Sequence, residues 1–361
     1  MVSNNLEGPG ERSSETSTSH YLNFKGTNIT SKLMEARDTC IANQAELSSV
    51  SDLLALNFIF DKDFVKEHAG VEAAEHFFQP PLKGASGNDL HYVSLCTDVA
   101  ARVQDSTAFD KEKPKLGDND QPSFFVRKAI ECLTVDVALW AGPSYRSALN
   151  EEGYQSSFVN PILRAFAGAL SLPTYIGHDL SPGIDDHVSR IQYNLEYTET
   201  LTPNFMAAVH HNSVQYAMCI AEIKKPGSSE RDKDEDRRSL VSQMKLSLNK
   251  LLWLGTESPT IVGFLVQDDV CEVLSIHLAA EAIYFVQELG AFNIPKDNKD
   301  LGRLISGLSV LSLAKVCLPG GEDLVQNTRA AFERRRPFQM HNNRKQMRPS
   351  FHVFGKETDD M

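Results

Sequence analysis

The chain has 361 residues, 41% of them hydrophobic, enough to bury a sizeable core in one large domain or two ordinary ones. Its formal net charge of −12 argues against a protein that coats nucleic acid by bulk electrostatics, although a local basic patch remains compatible with it. No uncharged apolar run approaches the roughly 18 residues that a membrane span requires.

Residues 1–30 are rich in Ser, Thr, Asn, Gly and Glu, show no apolar period and lack the apolar segment of a signal peptide. They read as a disordered leader. The six cysteines (Cys40, Cys96, Cys132, Cys219, Cys271 and Cys317) are scattered with no CxxC pair, the pattern of reduced core thiols in an intracellular protein, nuclear or cytoplasmic. Asn28-Ile-Thr30 fits a glycosylation sequon but carries no meaning without secretion.

From residue 31 to 145 the pattern is mainly helical, with helices expected over Ala42–Phe60, Phe64–Phe78 and Phe124–Leu139 and a short apolar stretch at Leu90–Val103. Lys111–Gln121 reads as a surface loop. Residues 146–318 read as a mixed α/β domain. Tyr154, Phe158, Ile162 and Phe166 recur every four residues and predict a helix over Asn150–Leu170. Two short apolar runs, Thr202–Val209 and Val214–Ile223, flank His210-His-Asn-Ser213 and predict a hairpin. Ser228–Arg238, with five acids and four bases, reads as a solvated loop leading into a helix over Leu240–Leu254. Thr260–Val266 and Val270–Leu278 predict a second hairpin about Gln267-Asp-Asp269, and Leu301–Val316 a final helix. Trp140 and Trp253 read as core.

The tail, residues 319–361, holds eight bases between Arg329 and Lys356 against one acid, with Phe338, Phe351 and Phe354 among them. Basic residues interleaved with aromatics suit phosphate neutralisation and base stacking, which makes Arg334, Arg335, Arg336, Arg344, Lys345 and Arg348 candidate contacts to DNA or RNA. Glu333-Arg-Arg-Arg336 equally suits a nuclear-import signal, and the whole tail a solvated disordered segment.

Chemistry points to Tyr216-Ala-Met-Cys-Ile-Ala-Glu-Ile-Lys-Lys-Pro226. A strand alternates faces with a period of two, so Glu222 and Lys224 project together while Cys219, Ala221 and Ile223 project the other way. A carboxylate and an ammonium side by side at the end of an apolar strand are costly unless both find partners. A divalent cation and a phosphate supply such partners.

On these residues the sequence resembles the PD-(D/E)XK phosphodiesterase superfamily, the restriction-endonuclease-like fold. Glu222-Ile-Lys224 matches the E-x-K element, Pro203-Asn204 stands where the Pro-Asp element belongs, Glu151 resembles the helix-borne glutamate, and Gln243 resembles the polar residue of the helix after E-x-K. The resemblance covers about Asn150 to Val316 and extends to degenerate fungal paralogue groups. It implies a mixed sheet flanked by helices, Mg²⁺ or Mn²⁺ held by Glu151, Asn204 and Glu222, and Lys224 positioning water. Asparagine at 204 departs from the pattern, because an amide offers an oxygen but no charge; Asp185, Asp186, Glu196 and Glu199 are nearby acids. The alternatives are a catalytically inactive nuclease-fold scaffold that binds nucleic acid or protein, and an interaction module built on the helical N-terminal half. His178, Asp179, Asp185, Asp186 and His187 match no zinc spacing and read as loop residues, as do His210 and His211. No P-loop, Rossmann, nucleophile-elbow or H-E-x-x-H motif occurs.

Overall fold

The computed structural model describes residues 21–43, 47, 49–79, 85–116, 124–177, 202–211, 214–227, 229–254, 256 and 258–318. In chain order the strands are β1 (Asn23–Phe24), β2 (Thr27–Asn28), β3 (Ile59–Phe60), β4 (Thr174–Ile176), β5 (Phe205–His211), β6 (Val214–Ile223), β7 (Thr260–Gln267), β8 (Val270–Ala280) and β9 (Ile283–Asn293). The α-helices are α1 (Ile29–Ala42), α2 (Val50–Ala55), α3 (Lys62–Ala69), α4 (Val71–Phe77), α5 (Gly87–Ala100), α6 (Ser106–Glu112), α7 (Phe124–Val135), α8 (Val137–Trp140), α9 (Pro143–Ala148), α10 (Glu151–Tyr154), α11 (Asn160–Ala169), α12 (Glu230–Leu254) and α13 (Leu304–Cys317). A π-turn, Gln155–Val159, joins α10 to α11.

Among the described residues, and apart from the small β1–β2 ribbon, the strands form one seven-stranded mixed sheet in the order β3-β9-β8-β7-β6-β5-β4. Neighbours are antiparallel except β3 with β9 and β6 with β7. The chain is therefore α/β, with a mixed sheet flanked by helices. The parallel β6–β7 pair requires a crossover, and α12 provides it across one face of the sheet. On the other face lie α11, where Phe166 meets Phe264 edge to face at 5.3 Å, and α13, where Val310 packs over Gly290. Both strand interiors of the parallel pair are almost wholly apolar and buried, as a strand covered on two faces demands.

Local signals explain most boundaries. Asn28, Ser49, Asp61, Ser86, Asp105 and Asn150 each accept a backbone N–H bond as the N-cap of the helix that follows. Gly70, with φ +99°, splits the helix expected over Phe64–Phe78 into α3 and α4. The helix expected over Ala42–Phe60 is absent: α1 ends at Ala42, α2 is one short helix, and Ile59–Phe60 joins the sheet beside β9. The expected leader also ends earlier, since β1, β2 and the start of α1 fall before residue 31. Residues 1–20 and 319–361 lie outside the described residues, as do His178, Asp179, Asp185, Asp186, His187, Glu196, Glu199 and the tail bases.

Besides β1, β2 and β3, two further strands went unread in the sequence for identifiable reasons. β4 is only three residues long. β9 follows β8 across Glu281-Ala282, a turn in which Ala282 takes φ +63° without glycine or asparagine to mark it. Within the stretch expected as a solvated loop, Ser228–Arg238, the residues from Glu230 on are instead the first part of α12. Ser229 caps it reciprocally: its Oγ accepts from Asp232 N–H (3.2 Å) and its N–H donates to Asp232 Oδ2 (3.4 Å). Lys233 pairs with Glu230 one turn below, and Arg237 reaches Glu272 on β8. His210 and His211 close β5 rather than forming the turn, with His210 bonded to the Tyr175 hydroxyl. Trp140 is half-buried and donates its indole N–H to Thr134 O at 2.7 Å. All six cysteines are free, four of them buried.

The N-terminal helices share one hydrophobic core with the sheet. A fully buried lysine crosses their boundary. Lys245 of α12 donates to Asn57 O (2.8 Å) just before β3 and lies 4.9 Å from the centre of the Tyr284 ring on β9. Burial, reinforced by Arg37, lowers its pKa to about 7.

Two predictions follow from this packing. A Cβ at Gly263 on β7 would fall 2.4 Å from Met244 Sδ on α12. Gly263→Ala is expected to cost about 1–3 kcal/mol by urea denaturation, and less in a Met244→Ala background where the space is restored. For Lys245, the folded state binds fewer protons than the unfolded state between its lowered pKa and the ordinary lysine range, so stability rises with pH across that window. Relative to Lys245→Met, the wild type is expected to be at its greatest disadvantage at pH 7 and below, the gap closing toward pH 10.

Candidate active site

Glu222 occupies the last turn of the pleat on β6, on the face covered by α12. Its partner is Gln243 of that helix, whose Nε2 donates to Glu222 Oε1 at 2.5 Å and to Ser239 Oγ at 3.1 Å. Lys224 lies two residues on, its N–H still donating to Val266 O of β7 (2.8 Å), so the strand geometry persists past the assigned end. The expected pairing of Glu222 and Lys224 on one face therefore holds, and Ala221 and Ile223 are buried on the other.

Lys224 stands between two more carboxylates. Its Nζ is 3.9 Å from Glu151 Oε2 and 3.9 Å from Asp236 Oδ1. Glu151 opens α10, where the Asn150 cap and the helix N-terminus both favour an acid. Asp236 comes from the first part of α12, the segment read in sequence as a loop, and was missed for that reason. Its side chain is only 15% exposed. The signal available was the Ser229…Asp232 cap, which places Asp236 and Gln243 seven residues apart on one helix face.

This crowding governs ionisation. Burial pushes the Glu222 carboxyl up to about 7; Asp236 and Glu151 add to the rise, while Gln243 and Lys224 oppose it. Burial likewise raises Asp236 to about 6, opposed by Lys224 and assisted by Glu151.

Asn204 sits just before β5 and acts on the backbone. Its Oδ1 accepts the N–H of Ile223 at 2.6 Å, between Glu222 and Lys224 in sequence. Its own carbonyl accepts from Gln155 Nε2 (2.8 Å), a residue of the π-turn that follows Glu151. Asn204 thus stitches the E-x-K strand to its hairpin partner and to the helix bearing Glu151.

A second anchor is the β7–β8 turn, Asp268-Asp269. The buried Arg146 of α9 pairs with Asp269, which Lys296 also meets at 2.6 Å. Tyr154, at the end of α10, donates its hydroxyl to Asp268 O at 2.8 Å. Asp268 also takes Lys233 of α12 at 2.8 Å and the N–H of Gly227 at 3.0 Å.

The donor set is oxygen-rich: Glu222, Asp236 and Glu151 supply carboxylates, and two buried acceptors, Gln243 Oε1 and Asp236 Oδ2, have no hydrogen-bond partner among the described residues. That composition fits a hard divalent cation. Among the described residues no three His, Cys, Asp or Glu side chains converge as a preformed cage. Two carboxylates, completed by water and a phosphate, are the ordinary protein share of a Mg²⁺ site. No described helix is long and apolar enough to cross a membrane. Comparison of the chain with protein-family models, with curated proteins and with solved structures returned no match.

The raised carboxyl sets a pH-dependent stability. In the unfolded chain Glu222 ionises near its ordinary value, in the folded chain only near 7, so stability is greatest in acid and falls as pH rises through that interval. Glu222→Gln keeps the acceptor for Gln243 and removes the charge. In chelator it is expected to exceed the wild type by on the order of 3 kcal/mol at pH 8, with the difference vanishing near pH 4.

Proposed function

We propose that the chain is a nuclease-like protein of the PD-(D/E)XK type that hydrolyses phosphodiester bonds of nucleic acid with Mg²⁺ or Mn²⁺. The observation that carries this reading is the pairing of Glu222 and Lys224 beneath α12, with the Gln243 amide on Glu222 and carboxylates on both sides of Lys224. Its support is the order of elements around them: a helix opened by Glu151, the β5–β6 hairpin with Pro203-Asn204 before its first strand, and a crossover helix returning to a parallel β7.

In this reading Glu222 would hold the cation together with a carboxylate that flanks Lys224. When bound, it supplies charge neutralisation to the phosphate and lowers the pKa of the attacking water. Lys224 then has a defined task. Its ammonium would orient the water and stabilise charge developing on the phosphoryl oxygens. Gln243 fixes the rotamer of Glu222 and keeps one of its oxygens hydrogen-bonded. Approach to an acidic body falls to local bases, for which the tail residues Arg334, Arg335, Arg336, Arg344, Lys345 and Arg348 are the candidates.

The second reading, a nuclease-fold scaffold without catalysis, is favoured by one observation: Asn204 Oδ1 is engaged with the Ile223 N–H and brings no charge to the site. Labelled DNA and RNA incubated in Mg²⁺ and in Mn²⁺ separate the two. The nuclease reading expects cleavage by the wild type, reduced at least about 100-fold in both Glu222→Ala and Lys224→Ala. A silent wild type with activity gained in Asn204→Asp would establish the scaffold on a nuclease fold. Silence from every variant would reject the site.

A further inference from the structure

The resemblance assigns the metal to Glu151, Asn204 and Glu222, but the side chains at the site distribute the work differently. Asn204 points its only side-chain acceptor at the Ile223 N–H, at a short 2.6 Å, and so acts as a backbone clamp. Glu151 is the most exposed carboxylate of the group, at 40%, and stands beyond Lys224. Asp236 lies on the inner side, 15% exposed, on the same helix that delivers Gln243 to Glu222.

Two atoms at this place want a ligand. Gln243 is 1% exposed; its Nε2 is spent on Glu222 and Ser239, and its Oε1 is buried without a hydrogen-bond partner. Asp236 Oδ2 is likewise buried and unpartnered, while Oδ1 has only the distant Lys224 ammonium. A buried acceptor left unmade costs on the order of 1–3 kcal/mol, and these two, unpartnered among the described residues, lie on the helix that covers Glu222, where a ligand would complete them. All are hard oxygens, and a small divalent cation accepts several at once.

We propose that the carboxylate pair of the metal site is Glu222 and Asp236, with Asp236, carried by the crossover helix, supplying the second charge that position 204 does not. This rests on the metal-dependent reading above and specifies which of the chain's own residues serve it. Asn204 then stays a positioning residue, and the charge that a Pro-Asp element would place at the start of β5 arrives from the opposite direction, from α12. Lys224, 3.9 Å from each of Asp236 and Glu151, would then keep Glu151 as its ion-pair partner.

The test is Mn²⁺ binding to the full chain by calorimetry and by the loss of free-ion electron paramagnetic resonance signal, without nucleic acid. Asp236→Asn and Glu222→Gln are compared with the wild type, and Glu235→Gln, an exposed acid next door on α12, controls for the loss of one local charge. The proposal expects one site in the wild type, abolished in Glu222→Gln, weakened at least tenfold in Asp236→Asn, and changed less than threefold in Glu235→Gln. Asp236→Glu, which retains the carboxylate, is expected to recover part of the affinity, and thermal melts of each variant in chelator confirm that it folds. Binding lost in Glu222→Gln but kept in Asp236→Asn would overturn the assignment of Asp236 and leave the metal-dependent reading standing. No Mn²⁺ binding by the wild type would overturn both.

Discussion

The site depends on a two-residue turn. Asp268-Asp269 connects β7 to β8, and four separate pieces of chain converge on it: Arg146 from α9, Tyr154 from α10, Gly227 from the segment after β6, and Lys233 from the start of α12. Each of these pieces is too short or too charged to hold its place by itself. A helix of four residues such as α10 has no cooperative stability, and the first turns of α12 are nearly all polar. The turn supplies what they lack: a carboxylate for the buried guanidinium, a carbonyl for the tyrosine hydroxyl, and an acceptor for the lysine. Glu151 follows Arg146 and precedes Tyr154 in sequence, and Asp236 follows Lys233. Both carboxylates that flank Lys224 are therefore positioned from one place.

What the turn gathers is electrostatically unfavourable. Two carboxylates flank one lysine and a third shares its face of the strand; for Glu222 and Asp236 burial leads every other influence on ionisation, and two oxygen acceptors on α12 are unmade among the described residues. A fold optimised only for stability would replace such a group with apolar side chains. The tight packing around it makes the exception plain. β7 gives up a side chain at Gly263 so that Met244 can seat against the sheet, and this same close approach of α12 brings Gln243 onto Glu222. A rigid scaffold carrying unsatisfied charge is the arrangement expected where a ligand is to be received.

Much of the second half was legible in the sequence because its elements are periodic and punctuated. The β5–β6 and β7–β8 hairpins, the helix from Asn150 and the shared face of Glu222 and Lys224 follow from alternation and turn residues. The places where reading failed share a cause: long-range packing overrode a local pattern. Ile59–Phe60 looks like the end of a helical run and becomes a strand because β9 offers a parallel edge. Glu230–Arg238 looks like solvent-exposed chain, yet it is helical because Ser229 caps it and Arg237, Lys233 and Asp236 find partners on the sheet side. Missing that helix concealed Asp236, so the sequence suggested only three of the four charged side chains that meet, Glu151, Glu222 and Lys224. Asn204 was legible as an oddity in a motif; its use as a clamp on the Ile223 N–H depends on a register that the sequence does not disclose.

A crystal of the full chain grown with Mn²⁺ shows directly, by anomalous scattering, where a divalent cation goes. A single strong peak within coordinating distance of one Glu222 oxygen and one Asp236 oxygen, with Asn204 Oδ1 still on the Ile223 N–H, is the predicted result. A peak coordinated by Asn204 instead of Asp236, or no peak at Glu222 in crystals that hold Mn²⁺ elsewhere, would contradict it.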